Sequence, residues 1–208
     1  MRRRFAYIAA ALAFSAVGAH AQDTAMSFFV TSVNPGKGGD LGGLAGADAY
    51  CNTLATAAGV TGKTWKAYLS TDAENAKDRI GSGPWHNAKG EKVADDVASL
   101  HSDKNNLTKQ TALNEKGEVI SGRGDTPNRH DILTGSKADG TAAPETCGNW
   151  TMGGEEGAAI VGHSDRTGLN DSAEAKSWNS SHATRGGCTV KAFNGTGGDG
   201  LFYCFAAN

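Results

Sequence analysis

A neutral imidazole both ligates metals and moves protons near neutral pH, so histidine comes first among the residues that could do chemistry. Beyond position 21 the chain carries His86, His101, His130, His163 and His182. None stands in an H-x3-H or H-E-x-x-H arrangement, the spacings that put two imidazoles on one helical face. His163 and Asp165 would reach a metal only with a distant third group. Ordinary polar loop positions account for both, so no metal site is expected. A Ser-His-Asp set lacks the G-x-S-x-G elbow that would give it meaning. Glu155 and Glu156 are adjacent, and adjacency alone does not aim two carboxylates at a cleft, as acid–base hydrolysis requires. Asp139-Gly140, Asp171 and Asp199-Gly200 offer oxygens to calcium, but no D-x-D-x-D-G loop is present, and turn formation explains Asp before Gly. Gly195 to Gly200 (GTGGDG) lacks the Lys-Ser/Thr of a phosphate loop and reads as a hairpin loop feeding the last strand. Arg123-Gly124-Asp125 spells the tripeptide that integrins read, and it reads as a plain turn.

The cysteines are Cys51, Cys147, Cys188 and Cys204. No pair has the C-x2-C spacing of a zinc site, so an even count in an exported chain reads as two disulfides. Three pairings are open, and spacing does not choose among them. Trp150 and Trp178 flank the segment between Cys147 and Cys188. Tryptophan packs against disulfides or forms binding platforms. A polar stretch from Gly153 to Gly187, held on a rigid scaffold, is where a recognition surface is best sought.

The elements that must position these residues are short. Ser27 to Val33 (SFFVTSV) is rich in β-formers and predicts a strand. Leu44, Ala47, Cys51, Leu54 and Ala58 recur at three and four residues, predicting a helix over 44–58 with Cys51 on its buried face and Gly59 as its stop. Thr64 to Ser70 alternates, with Trp65, Ala67 and Leu69 on one side, as a half-buried strand does. A helix capped by Thr71 or Asp72 is expected to run to about Ile80, broken by Gly81-Ser82-Gly83-Pro84 before a buried Trp85. Val93, Val97 and Leu100 suggest a further helical segment, and Glu118 to Ile120 a brief strand. Later apolar runs at Ile132-Leu133, Ala158 to Val161, Thr189 to Phe193 and Leu201 to Ala207 read as strands between long loops.

Of 208 residues, 29 are Gly and 38% belong to the hydrophobic set, which favours a loop-rich domain over a helical bundle. Arg2, Arg3 and Arg4, an apolar stretch from Phe5 to Val17, and Ala19-His20-Ala21 make residues 1–21 a cleavable signal peptide, leaving one domain over 22–208. Cleavage takes the formal charge from −2 to −5, so no basic field exists to hold nucleic acid. No later run is apolar enough to span a membrane.

Together, SFFVTSVNPGKGGDLGGLAGADAYCNTLA, Trp65 to Ser70, Asp78-Arg79-Ile80, Leu133-Thr134-Gly135, Thr146 to Thr151, Trp178, Cys188 and Leu201 to Phe205 resemble the bacterial endostatin-like, C-type-lectin-like proteins. The leptospiral surface proteins of that kind are the best known. The resemblance covers residues 27–208 and implies an α+β, C-type-lectin-like fold: short antiparallel sheets, flanking helices and long loops. It also implies nested disulfides, first cysteine with last and second with third. It implies a non-enzymatic module that binds an extracytoplasmic protein, such as a matrix protein, or a glycan. Trp178-Asn179-Ser180 matches part of the Trp-Asn-Asp triplet with which sugar-binding C-type lectins hold calcium, and the Glu-Pro-Asn or Gln-Pro-Asp partner is missing. No cofactor is therefore expected, calcium being the one ion the resemblance leaves open. Trp150, Trp178 and Asn179 are the ligand-binding residues on this reading. An enzyme acting on cell-envelope glycans or peptides, and a structural periplasmic protein, are the alternatives.

Overall fold

The computed structural model describes residues 25–208. The signal peptide expected over residues 1–21 lies outside them. The described chain is an α+β domain built on its last strand, β8 (Gly198–Ala206). Leu201 to Phe205 are all apolar because both faces of this strand are covered. Alternation sorts them. Phe202, Cys204 and Ala206 enter one core with Phe29, Trp65, Ala67 and Leu69, while Leu201, Tyr203 and Phe205 enter a second with Phe28, Val30, Tyr68 and Trp85.

Strand β1 (Phe28–Val30) pairs antiparallel with β8, setting Phe29 opposite Cys204. Strand β2 (Trp65–Ala67) pairs antiparallel with β8 as well, setting Ala67 opposite Cys204. The segment that reads as half-buried is thus buried on both sides: Tyr68 and Ser70 are as enclosed as Ala67 and Leu69. Helix α1 (Gly43–Ala57) lays Ala47, Cys51 and Ala55 on the first core, and Cys51 bonds Cys204 there. Helix α2 is a single turn, Ala76–Arg79, shorter than the capped helix expected from position 71. Strands β3 (Trp85–His86) and β4 (Lys92–Ala94) form a separate two-stranded sheet. Val93 lies in β4, and the helical turn α3 begins only at Val97 (Val97–Leu100). Near 118–120 there is one isolated bridge, Leu113 with Val119, in place of the expected strand.

The rest of the main sheet holds β5 (Asp131–Leu133), parallel to β8, then β6 (Ile160–His163) and β7 (His182–Ala183), both antiparallel. Between β5 and β6, Cys147–Trp150 make a helical turn, α4, and Cys147 bonds Cys188. The two disulfides are therefore nested. All four residues of α4 have positive φ, from 48° at Cys147 to 66° at Trp150, so this turn is left-handed. Such a backbone costs roughly 1–2 kcal/mol for each residue bearing a Cβ and needs tertiary support.

Thr189 to Phe193 reads as a strand but folds as helix α5 (Val190–Thr196). The Thr189 hydroxyl accepts from the Ala192 N–H at 3.0 Å, and this cap overrides the β preference of Thr189 and Val190. Gly195 to Gly200 is likewise no hairpin: it is the end of α5 running straight into β8. Thr189→Ala is expected to cost about 1 kcal/mol in urea unfolding through loss of the cap.

Candidate functional site

The antiparallel register of β5, β6 and β7 brings separated residues to one end of the sheet. Asp131 lies opposite His163, and His182 lies opposite Val161, two residues before His163. Residues opposite or two apart share a face, so Asp131, His163 and His182 project together. His130 precedes Asp131 and joins them with its ring stacked on that of His163, centroids 4.3 Å apart. The close pairing is fixed by Gly162. A Cβ there would lie 1.9 Å from the Trp178 carbonyl oxygen, so only glycine lets the backbone of 178–179 cross β6.

The donor atoms converge. His130 Nε2 is 3.1 Å and His163 Nε2 3.3 Å from Asp131 Oδ1, and His182 Nε2 is 3.6 Å from Asp131 Oδ2. His163 Nε2 and His182 Nε2 are 3.1 Å apart. Asp131 is 2% exposed, yet neither of its carboxylate oxygens has a hydrogen bond of acceptable geometry. An ionised carboxylate so buried requires a positive partner.

The outward ring nitrogens are each anchored. His130 Nδ1 is 2.9 Å from Asp165 Oδ1, and His163 Nδ1 is 2.7 Å from the Ala175 carbonyl oxygen. Burial pushes the Asp165 carboxyl up, but hydrogen bonds from His130 and the Arg123 and Thr167 N–H groups outweigh it, leaving it below its ordinary value. Burial also pulls the His163 imidazole down; Asp131, the Ala175 carbonyl and Asp165 outweigh this and hold it above the usual histidine value.

The cluster floors a cleft of about 450 Å³. Its lining includes the exposed side chains of Arg123, Arg185, Glu174 and Leu169, the last 86% exposed. The three sides come from the loop before β5, the loop between β6 and β7, and the segment after β7.

The residues expected to bind ligand lie elsewhere. Trp150 is 0% exposed, and its Nε1 donates to the Ser70 carbonyl at 2.7 Å. Trp178 packs between Tyr68 and Tyr203 and donates to the Leu100 carbonyl. Asn179 is buried and donates to Tyr68 Oη and the Lys137 carbonyl. All three complete the interior around the site, and their polar atoms already have partners. Trp178 and Asn179 reach the surface only as part of the lining of a second depression, with His101 and Arg166. Of the Arg123-Gly124-Asp125 tripeptide, Asp125 turns back to Lys109 and the Gly122 N–H, as a turn requires.

The sequence reading expects no metal site and takes His163 and Asp165 as ordinary polar loop positions; the structure places His163 at the end of β6 and Asp165 two residues beyond it. His163 does have distant partners, on two other strands, and Asp165 supports the set from behind without facing its centre. Templates for metal sites rest on local spacing, and pairing across strands leaves no such trace; the one available signal was His130-Asp131 entering an apolar strand.

No known protein-family model matches this chain, and none of the curated proteins compared with it does. Among the described residues no helix is long and apolar enough to cross a membrane. Two disulfides and no free cysteine fit an oxidising compartment.

Proposed function

We propose that the chain is a secreted or periplasmic binding module, of C-type-lectin-like design, that recognises an anionic group on an extracytoplasmic glycan or protein. Short sheets, long loops and nested disulfides support the endostatin-like kinship. One observation carries the functional reading: the histidine-lined cleft presents two exposed guanidiniums, Arg123 and Arg185, against one carboxylate, Glu174, in a chain whose overall charge is negative. Arginine forks match carboxylate, sulfate and phosphate groups bidentately. Leu169 adds an apolar contact at the same mouth. Recognition is by surface loops on a stiff frame, without covalent chemistry.

The test is an array of acidic and neutral glycans and matrix proteins probed with the oxidised chain and with an Arg123→Glu/Arg185→Glu variant. Both arginines are exposed, so the variant retains the fold. Acidic ligands should bind in a salt-sensitive way, with a loss of at least about tenfold in the variant, since two charge-assisted contacts become repulsions. Equal binding by both proteins, or a preference for neutral ligands, defeats the reading.

A second reading, an enzyme acting on envelope glycans or peptides, draws support from Asp131 and Asp165 flanking the His130 ring. Released product in the same array, lost in His130→Gln, would select it.

A further inference from the structure

We propose that His130, Asp131, His163 and His182 bind one divalent transition ion of the zinc class at the floor of the cleft. The inference rests on the side-chain geometry alone and stands whether or not the ligand reading holds.

The first ground is the direction of the lone pairs. A carbonyl oxygen and an ionised carboxylate only accept hydrogen bonds, so the contacts to Ala175 and Asp165 place the proton on Nδ1 of His163 and of His130. In a neutral ring Nε2 is then a bare acceptor. Those two Nε2 atoms face Asp131 Oδ1 at 3.3 and 3.1 Å, and His163 Nε2 faces, at 3.1 Å, the Nε2 of His182, whose Nδ1 lies 3.1 Å from the Ala183 carbonyl oxygen and so carries that ring's proton. Acceptors meeting acceptors at these distances repel unless a cation lies among them. The unbonded, 2%-exposed carboxylate of Asp131 is the independent sign of that missing charge.

The second ground is spacing. Ligands about 2.0–2.2 Å from a tetrahedral ion stand about 3.3–3.6 Å apart. The contacts of His130 and His163 to Asp131 Oδ1, 3.1 and 3.3 Å, and the His163–His182 contact of 3.1 Å lie close to that edge length, while His182 meets the other carboxylate oxygen at 3.6 Å. The ligand atoms of His130, Asp131 and His163 all lie within 4.8 Å of one another. His182 stands outside that close trio; its side chain is 39% exposed and its Nε2 lies 3.1 Å from His163 Nε2 at the cleft side, so it is the member that adjusts to complete the set as fourth ligand.

The third ground is the outer support. A metal-bound imidazole typically gives its other N–H to a carboxylate or backbone carbonyl, which fixes the ring and its tautomer. His130 has the first kind of partner and His163 the second. Asp165 is thus a positioning residue.

Protons are the competing cation. A proton on His163 alone would settle its contact to Asp131 Oδ1 but leave the bare His130 Nε2 3.1 Å from the same oxygen, and a second proton on His130 would stack two imidazolium rings at 4.3 Å and 5°, where like charges oppose each other. One dication spreads its charge over all the donors instead. Three imidazole nitrogens with one carboxylate oxygen suit zinc, cobalt, nickel or copper; calcium prefers six to eight oxygens and magnesium keeps its waters.

The experiment strips the oxidised chain with a chelator, adds Zn²⁺ or Ca²⁺, and measures bound metal by mass spectrometry and affinity by calorimetry. One zinc per chain is expected, with affinity tighter than micromolar and calcium unable to displace it. Cobalt(II) in its place should give the intense visible bands of a four-coordinate ion. Asp165→Asn should weaken zinc by about 10- to 100-fold, and His163→Gln by more. Should His163→Gln not fold, His182→Ala at the half-open edge keeps the question decidable, with a loss of at least about tenfold expected. Substoichiometric zinc, zinc affinity unchanged in His182→Ala, or equal affinity for calcium overturns the proposal.

Discussion

Replacing Cys51 and Cys204 together by alanine is expected to lower the unfolding free energy by about 5 kcal/mol. The bridge closes 153 residues, so its loss frees most of the chain in the unfolded state. It also joins the buried face of α1 to the central strand, at the residue where β1 and β2 both meet β8. Both sulfurs are wholly buried, so the alanine pair leaves a void in the first core as well. The Cys147–Cys188 bridge spans 41 residues and is worth about 4 kcal/mol on the same entropic scale. Its net effect should be smaller than that. The bridge helps to hold Cys147, Asn149 and Trp150 in a left-handed turn, and relaxing a non-glycine residue from that region returns roughly 1–2 kcal/mol. Urea unfolding of the oxidised protein beside each double-alanine variant measures both numbers. A larger loss from the inner pair than from the outer would refute the ordering, and with it the view that the outer bridge is the main constraint.

Sequence patterns reach some of this architecture and stop at identifiable places. Helix α1 is legible because its apolar residues follow a helical period and face one core, so local order and tertiary burial agree. The last strand is legible as a strand; its central position follows only once both cores are seen, since a continuous apolar run does not say what covers it. Helix α5 was hidden because Thr189 and Val190 favour strands, and a single capping hydroxyl decides otherwise. The site was hidden for a different reason. Its donors come from positions 130–131, 163 and 182, and only the pairing of three strands makes them neighbours. A sequence shows the residue types, whereas the register that aligns them is a property of the whole sheet. Tryptophans drew attention because their chemistry serves both interiors and binding faces, and exposure separates the two roles.

Trp150 offers the sharpest separation of those roles. Trp150→Ala is expected to cost about 5 kcal/mol: about 3–5 for emptying a fully buried indole site, and more for the Ser70 carbonyl left without its donor. The site has little room to collapse. Gly135, at φ +59°, presses so near that a Cβ there would stand 2.7 Å from Trp150 Cζ2. Trp150→Phe keeps much of the packing and loses the N–H, so its cost should fall to about 1–3 kcal/mol for the orphaned carbonyl, plus the smaller void. Denaturant midpoints at unchanged slope give both values. Binding supplies the contrast. If Trp150 were a ligand platform, its removal would leave stability nearly untouched and abolish binding. If it is an interior strut, the fraction of protein still folded should bind acidic ligands and zinc as the parent does, because the indole packs in the first core and hydrogen-bonds the Ser70 carbonyl, not a donor of the cleft. The stability loss and the retained binding must appear together; a folded Trp150→Phe that fails to bind would reassign the residue to the recognition surface.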